Sequence, residues 1–241
     1  MTILAILQAR STSSRLPGKV LKPLAGAPMI LRQIERVRRA RRIDRLVLAT
    51  SDEASDEELA RVAQDAGVAV HRGPLADVLA RFLGALEAFG PADHVVRLTG
   101  DCPLTDPELI DAVIDRVVSE GADYGSNTPA HRTYPRGLDV EAMTSATLRA
   151  AAARATTPEE REHVTWGVHS LRPELYRLAF VSQAAEEGEV RWTVDTADDY
   201  AFVQAVYQGL YPSNPAFGSD DVRRFVRQRP DLTKLGGERR V

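Results

Sequence analysis

The chain has 241 residues, a formal charge of −3, and 27% charged against 44% hydrophobic residues. That length supports one large domain or two small ones with a sizeable core, and the charge balance excludes an overall basic field of the kind that attracts nucleic acid. A single cysteine, Cys102, excludes an internal disulfide and a cysteine-based zinc site.

In chain order, the first element is the apolar run Ile3–Leu7. It is too short to span a membrane and lacks the charged start and cleavage pattern of a signal peptide. A cytoplasmic protein without a membrane partner is therefore expected. The run reads as a buried strand emptying into a polar loop, Gln8 to Lys19, that carries Arg10, Arg15, Lys19 and four hydroxyl residues, Ser11 to Ser14. Small hydroxyl residues, a glycine (Gly18) and fixed cations let backbone N–H groups and side chains surround phosphate oxygens. Arg supplies two-point donation and Lys a compact charge. The loop therefore reads as a triphosphate site. It has neither the Walker A spacing nor the Gly-x-Gly-x-x-Gly of dinucleotide folds, which weakens kinase and dehydrogenase readings.

Pro28 opens a helix with Ile30, Ile34 and Val37 on one face, and the basic cluster Arg36 to Arg42 reads as its solvated end. A strand, Arg45 to Thr50, follows. Ser55 and Glu58 form an expected capping box for a helix ending at Gly67. Val68 to His71 is a short strand, Asp77 to Phe89 a helix and His94 to Thr99 a strand. Asp106 and Pro107 start a helix that Gly121 ends. The second half offers strands at Leu138–Met143, Tyr176–Val181 and Val190–Val194, a helix start at Thr157–Pro158, and a helix capped by Thr196. Strand–helix alternation predicts an α/β three-layer fold around a mostly parallel sheet. No repeat or linker breaks it, so residues 1–228 are expected as a single domain and 229–241 as a polar, poorly ordered tail.

Ligands of such sheets bind beyond the carboxyl ends of the strands. Asp101 sits at one such end beside Gly100, and Asp195 at another. Together they read as a magnesium site of two carboxylates, as a triphosphate substrate requires. Arg72, Asp77 and Arg81 are candidates for base or ribose. Arg136, Asp139, Glu141 and His163 are candidates for a polar acceptor, with His163 equally readable as a structural helix residue. Segment Leu138–Met143 is also a candidate dimer contact. Cys102 has no base nearby in sequence and is a weak nucleophile.

Leu7-Gln8-Ala9-Arg10, then Ser13-Ser14-Arg15-Leu16-Pro17-Gly18-Lys19-Val20-Leu21, resembles the opening signature of cytidylyltransferases, nearest the spore-coat polysaccharide biosynthesis F-type branch. Arg72-Gly73, Asp77 to Phe82, Arg97 to Leu104 and Thr193-Val194-Asp195 fit that branch as well. The enzymes that activate 3-deoxy-manno-octulosonate and acylneuraminate are more distant relatives. The resemblance implies a nucleotide-diphospho-sugar transferase fold with a mixed sheet. It implies base and ribose held by Leu7, Gln8, Ala9 and Arg10; Ser11, Ser14 and Thr99 are further candidate nucleotide contacts. It also implies a triphosphate, in the first instance CTP, on Arg15 and Lys19, and magnesium on Asp101 and Asp195, with Arg15, Lys19 and Asp101 as the catalytic set. The octulosonate enzymes carry a Gln that helps read cytosine where this chain has Thr99, a departure that bears on base choice, and their acceptor segments have no clear counterpart here, so their sugar does not transfer. The expected activity is nucleotidyl transfer to a small acceptor with release of pyrophosphate. The rival, a glycosyltransferase, would show a metal-binding Asp-x-Asp where this chain has Asp101-Cys102-Pro103.

Overall fold

The computed structural model describes residues 1–241. Nine strands are present: β1 (Ile3–Gln8), β2 (Pro23–Leu24), β3 (Ala27–Pro28), β4 (Arg45–Ser51), β5 (Ala69–Gly73), β6 (His94–Thr99), β7 (Tyr124–Ser126), β8 (Glu141–Thr144) and β9 (Leu178–Phe180). The α-helices are α1 (Met29–Val37), α2 (Glu57–Asp65), α3 (Val78–Phe89), α4 (Pro107–Glu120), α5 (Ser145–Arg154), α6 (Pro158–Glu162), α7 (Ala197–Leu210) and α8 (Ser219–Arg227). Seven strands form one sheet in the order β5-β4-β1-β6-β8-β7-β9, and β2 and β3 form a small hairpin. Strand β8 runs antiparallel to both of its neighbours, β6 and β7, and the other pairings of the sheet are parallel. The expected α/β sandwich with a mostly parallel mixed sheet is thus the observed fold.

The period of two along β1 divides the core. Ile3, Ala5 and Leu7 face the layer that contains α1, α4, α7 and α8, whereas Leu4 and Ile6 face α3 and α5. Both faces are covered, which is why β1 reads as an unbroken apolar run. Each fully buried Leu or Ile contributes about 1.5–3 kcal/mol relative to exposure. Helix α4 begins where Asp106 accepts from the Glu108 N–H and Pro107 needs no acceptor, and it ends at Gly121 in the left-handed region. No helix is long and apolar enough to cross a membrane.

Five expectations change. Ser55 caps nothing: the chain enters α2 through a 3-10 turn, Ala54–Asp56. The Asp56 carboxylate instead accepts from the Ser11 N–H at 2.6 Å, the Ser51 N–H and the Ser51 hydroxyl. Arg36 is not solvated. It is buried, donates from Nε to the Thr105 carbonyl at 2.7 Å and lies over the Phe217 ring. Val190–Val194 is extended but makes only an isolated parallel bridge, Arg191 to Arg136, because its N–H groups go to four different segments: Val190 to Glu187 O, Arg191 to Arg239 O, Trp192 and Thr193 to Arg136 O, and Val194 to Asp101 O. Strand β8 is an inner strand whose Ala142 and Met143 are buried, as are the preceding Leu138 and Val140, so the apolar side chains of that segment belong to the core and are not available to a second copy. Residues 229–241, expected as a loose tail, fold back instead. Leu232 and Arg240 are buried, and Trp192 Nε1 donates to the Arg240 carbonyl at 2.8 Å.

Candidate active site

A cleft of about 1030 Å³ opens at the carboxyl ends of β1 and β6. Its wall includes Gln8, Ala9, Arg10, Ser14, Arg15, Lys19, Asp77, Thr99, Asp101, His163 and Asp195. Five strands and loops far apart in sequence thus meet at the point where the strand order departs in both directions from β1, the usual ligand position of open α/β sheets.

The loop between Ala9 and Lys19 is shaped by short internal bonds. Ser11 O accepts from the N–H of both Ser13 and Gly18, and Gly18 sits at φ 67°, a conformation that suits glycine. Asp56 ties the loop to β4 through the Ser11 N–H. The N–H groups of Thr12, Ser14 and Arg15 have no acceptor in the protein, and free N–H groups on a tight loop form an anion cradle.

Lys19 is the central charge. Its buried ammonium donates to the Val194 carbonyl at 2.6 Å and to Asp195 Oδ1 at 3.0 Å, and lies 3.5 Å from Asp101 Oδ2. Arg15 Nη2 reaches the same Asp195 oxygen at 3.2 Å. Burial by itself would raise the Asp195 carboxyl, but Lys19, Arg191 and Arg15 hold it below the usual carboxylate range. Both carboxylates therefore converge on one point, where a cation already stands. That donor set fits a hard divalent ion, which takes one or two protein carboxylates and completes its shell with water and substrate phosphate oxygens. No larger cluster of three or more His, Cys, Asp or Glu side chains is present.

Gly100 permits this convergence. A Cβ there would lie 2.7 Å from Ala9 Cβ and 3.1 Å from Gln8 O, so any side chain would push the Asp101 turn off β1. From below, Gln33 Nε2 donates to Thr99 O at 2.7 Å and Arg36 holds Thr105 O. Burial, reinforced by the Asp101 charge, pushes the Cys102 thiol well above its ordinary value, which removes it as a nucleophile at neutral pH.

The other candidates divide. Leu7 is buried in the core and has only backbone to offer. The Ser11 hydroxyl is buried without a partner. Arg72 turns away from the cleft, donating to Ser51 O and Glu53 O. Asp77 caps α3 through the Ala80 N–H and pairs with Arg161 at 2.7 Å, which brings α6 across to α3. Arg136 and Asp139 lie outside this cleft: Asp139 is held by Arg132 at 2.5 Å, and Arg136 lines a separate groove with Glu189 and Arg239. Glu141 stands behind the wall, accepting from Arg97 Nη1 at 3.0 Å and the Thr165 hydroxyl at 2.8 Å. Arg97 itself lines the cleft and donates from Nε to Gln8 Oε1 at 3.1 Å. It was missed as a site residue, although period two on β6 places it on the same face as Thr99.

Helix α6 forms the opposite rim. Thr157 and Glu160 make a full capping box, and Glu160 is also paired with Arg172. Arg172 first, and then the Thr156 N–H, bring its carboxyl from 4.5 down to about 2. A carboxyl lowered on folding contributes stability above its ordinary value and loses it as pH falls toward the folded one. Glu160→Gln should therefore flatten the acid limb of stability between about pH 4.5 and 2. Denaturant midpoints across that range measure this, and an unchanged limb would remove the pair from the rim.

The family model described as cytidylyltransferase matches residues 4–166. The spore coat polysaccharide biosynthesis protein SpsF of Bacillus subtilis is 34% identical over 236 residues, covering 95% of each chain. A solved cytidylyltransferase from Leptospira borgpetersenii superposes with a TM-score of 0.90 at 28% identity, covering 96% of each chain. A CMP:2-keto-3-deoxy-manno-octonic acid synthetase solved with CTP shares the fold, with a TM-score of 0.66 at 18% identity over 87% of this chain and 99% of that one. The chain belongs to the cytidylyltransferase family and is an enzyme of that kind.

Proposed function

We propose that the enzyme transfers CMP from CTP to a small acceptor, a sugar acid, a sugar or a related compound, with magnesium as the cation and pyrophosphate as the second product. The placement is in the synthesis of polysaccharide or surface-glycan precursors, supported by the likeness to the Bacillus subtilis protein. The choice of CTP is supported by the family and by the ligand of the octulosonate-activating relative. The observation that carries the reading is the meeting of Lys19, Arg15, Asp101 and Asp195 at one end of the cleft.

In this reading the nucleotidyltransferase domain, expected over residues 1–228, takes in the folded-back segment 229–241 as well. Gln8 to Arg10, with Thr99 and Asp77, line the base and ribose side. Arg15, Lys19 and the free N–H groups of the 12–15 turn bind the triphosphate and stabilise the charge that grows on the departing pyrophosphate. Asp101 and Asp195 would hold magnesium, which when bound neutralises the triphosphate and polarises the α-phosphoryl group. The acceptor oxygen enters past Arg97 and His163, in line with the breaking bond. Most of the acceleration comes from positioning and charge placement, with little covalent work left to side chains.

A ligand that prefers the folded state raises the melting temperature by mass action. CTP with magnesium should raise it more than UTP, GTP or ATP at equal concentration, and a preference for another base would overturn the substrate. Pyrophosphate release, rather than nucleoside diphosphate release, separates this reaction from glycosyl transfer.

A further inference from the structure

The segment after α8 reaches the candidate metal site through two arginines. Arg191 donates from Nη2 to Asp195 Oδ2 at 2.7 Å and grips Asp199 through Nε and Nη2, each at 3.0 Å. Asp199 also accepts from the N–H groups of Asp195 and Thr196, both at 3.0 Å. The next layer is Arg240, which is 1% exposed and lies 2.9 Å from Asp199 Oδ1. Its Nη1 donates to the Arg191 carbonyl at 2.8 Å, and its own backbone carbonyl accepts from Trp192. Two arginines thus share one buried carboxylate, and one of them continues to Asp195. Although burial alone would raise the Asp199 carboxyl, these donors hold it well below the carboxylate range.

The consequence for Asp195 is directional. Its Oδ2 is fixed by Arg191, whereas Oδ1 is left to Lys19 and Arg15 on the cleft side. A carboxylate held by one oxygen presents the other at a set angle, which is how outer partners orient a metal ligand.

We infer that Arg240, acting through Asp199 and Arg191, is a positioning residue that aims Asp195 at the cation of the substrate complex. This rests on the reading of Asp195 as a cation ligand. The segment 229–241 is then a working part of the site, although none of it lines the cleft.

The test is manganese binding to the full chain with CTP and no acceptor, followed by electron paramagnetic resonance. Arg240→Met should keep a cooperative melt and weaken manganese binding about 10–100-fold. The acceptor KM should stay near the parent value while kcat falls. Arg240→Lys keeps the buried charge but lacks the fork, and should show an intermediate loss. It also serves as the test if Arg240→Met does not fold. Parent-like manganese affinity in a folded Arg240 variant would overturn the inference. Asp195→Asn is the control: loss of affinity there with none at Arg240 sinks the relay alone, and parent affinity in Asp195→Asn sinks the ligand assignment beneath it.

Discussion

Lys19→Ala should lower CMP transfer at least a hundredfold, since removing one donor aimed at transition-state charge costs roughly 3 kcal/mol. The same ammonium separates two carboxylates, at 3.0 Å from Asp195 and 3.5 Å from Asp101. Its removal leaves like charges facing each other in a half-buried setting. The ligand-free variant should therefore lose about 1–3 kcal/mol of stability, the scale for stranding a buried polar partner. Added magnesium should restore part of that loss, because a divalent ion replaces the missing positive charge. Steady-state pyrophosphate release and thermal melts with and without magnesium measure both effects. Near-parent turnover would remove Lys19 from the chemistry, and a melt indifferent to magnesium would remove the two aspartates from the cation site.

Asp101→Asn should lower turnover by a comparable factor, about a hundredfold or more, with little change in stability. The backbone at this position is fixed independently of the side chain: Asp101 O accepts from the Val194 N–H at 2.8 Å and the Thr193 hydroxyl at 3.3 Å. Asn keeps the shape and removes the charge. The variant should need much higher magnesium to reach half-maximal rate, while CTP alone binds as in the parent. Rates over a magnesium titration decide the matter, and an unchanged half-saturation point would exclude Asp101 as a ligand.

Much of the fold was legible because local signals agreed with the tertiary outcome. The run Ile3–Leu7, the Asp106-Pro107 start of α4, the Gly121 stop and the Thr196 cap of α7 each carry their own physical cause. Elements α5 and α8 were missed. Helix α5 is alanine-rich with a weak apolar stripe, and α8 follows a Gly-Ser start that resembles a loop. The strand at Val190–Val194 failed for the opposite reason. Its alternation is real, with Trp192 fully buried and Val190 and Val194 beside it, but alternation reports burial of one face and does not supply a partner strand.

The Gln8–Lys19 loop and Asp101 were visible because each follows a strand end of the sheet, and strand ends of one sheet share an edge; Asp195 follows an extended run outside the sheet that is held at the same edge by the Val194 N–H to Asp101 O. Asp199 lies in the first turn of α7, but its ion pairs depend on Arg191 and Arg240, and nothing in sequence spacing shows a partner 41 positions away brought back by chain reversal. Arg36 misled similarly: a basic run looks solvated until one member is seen stacked on Phe217. Arg136 and Asp139 misled because a polar segment after a tight turn does not say which cleft it faces.

Strand β8 lies between β6 and β7 yet is synthesised after both. During folding the slot between them must stay open until residues beyond 140 arrive. Until then the facing edges of β6 and β7 have unsatisfied pairing groups, the kind of surface that invites association between nascent molecules. The half-sheet of β5, β4, β1 and β6 can close earlier, since its four strands fall within the first hundred residues. Placement of β8 is therefore the step that joins the two parts of the sheet and covers both of those edges at once.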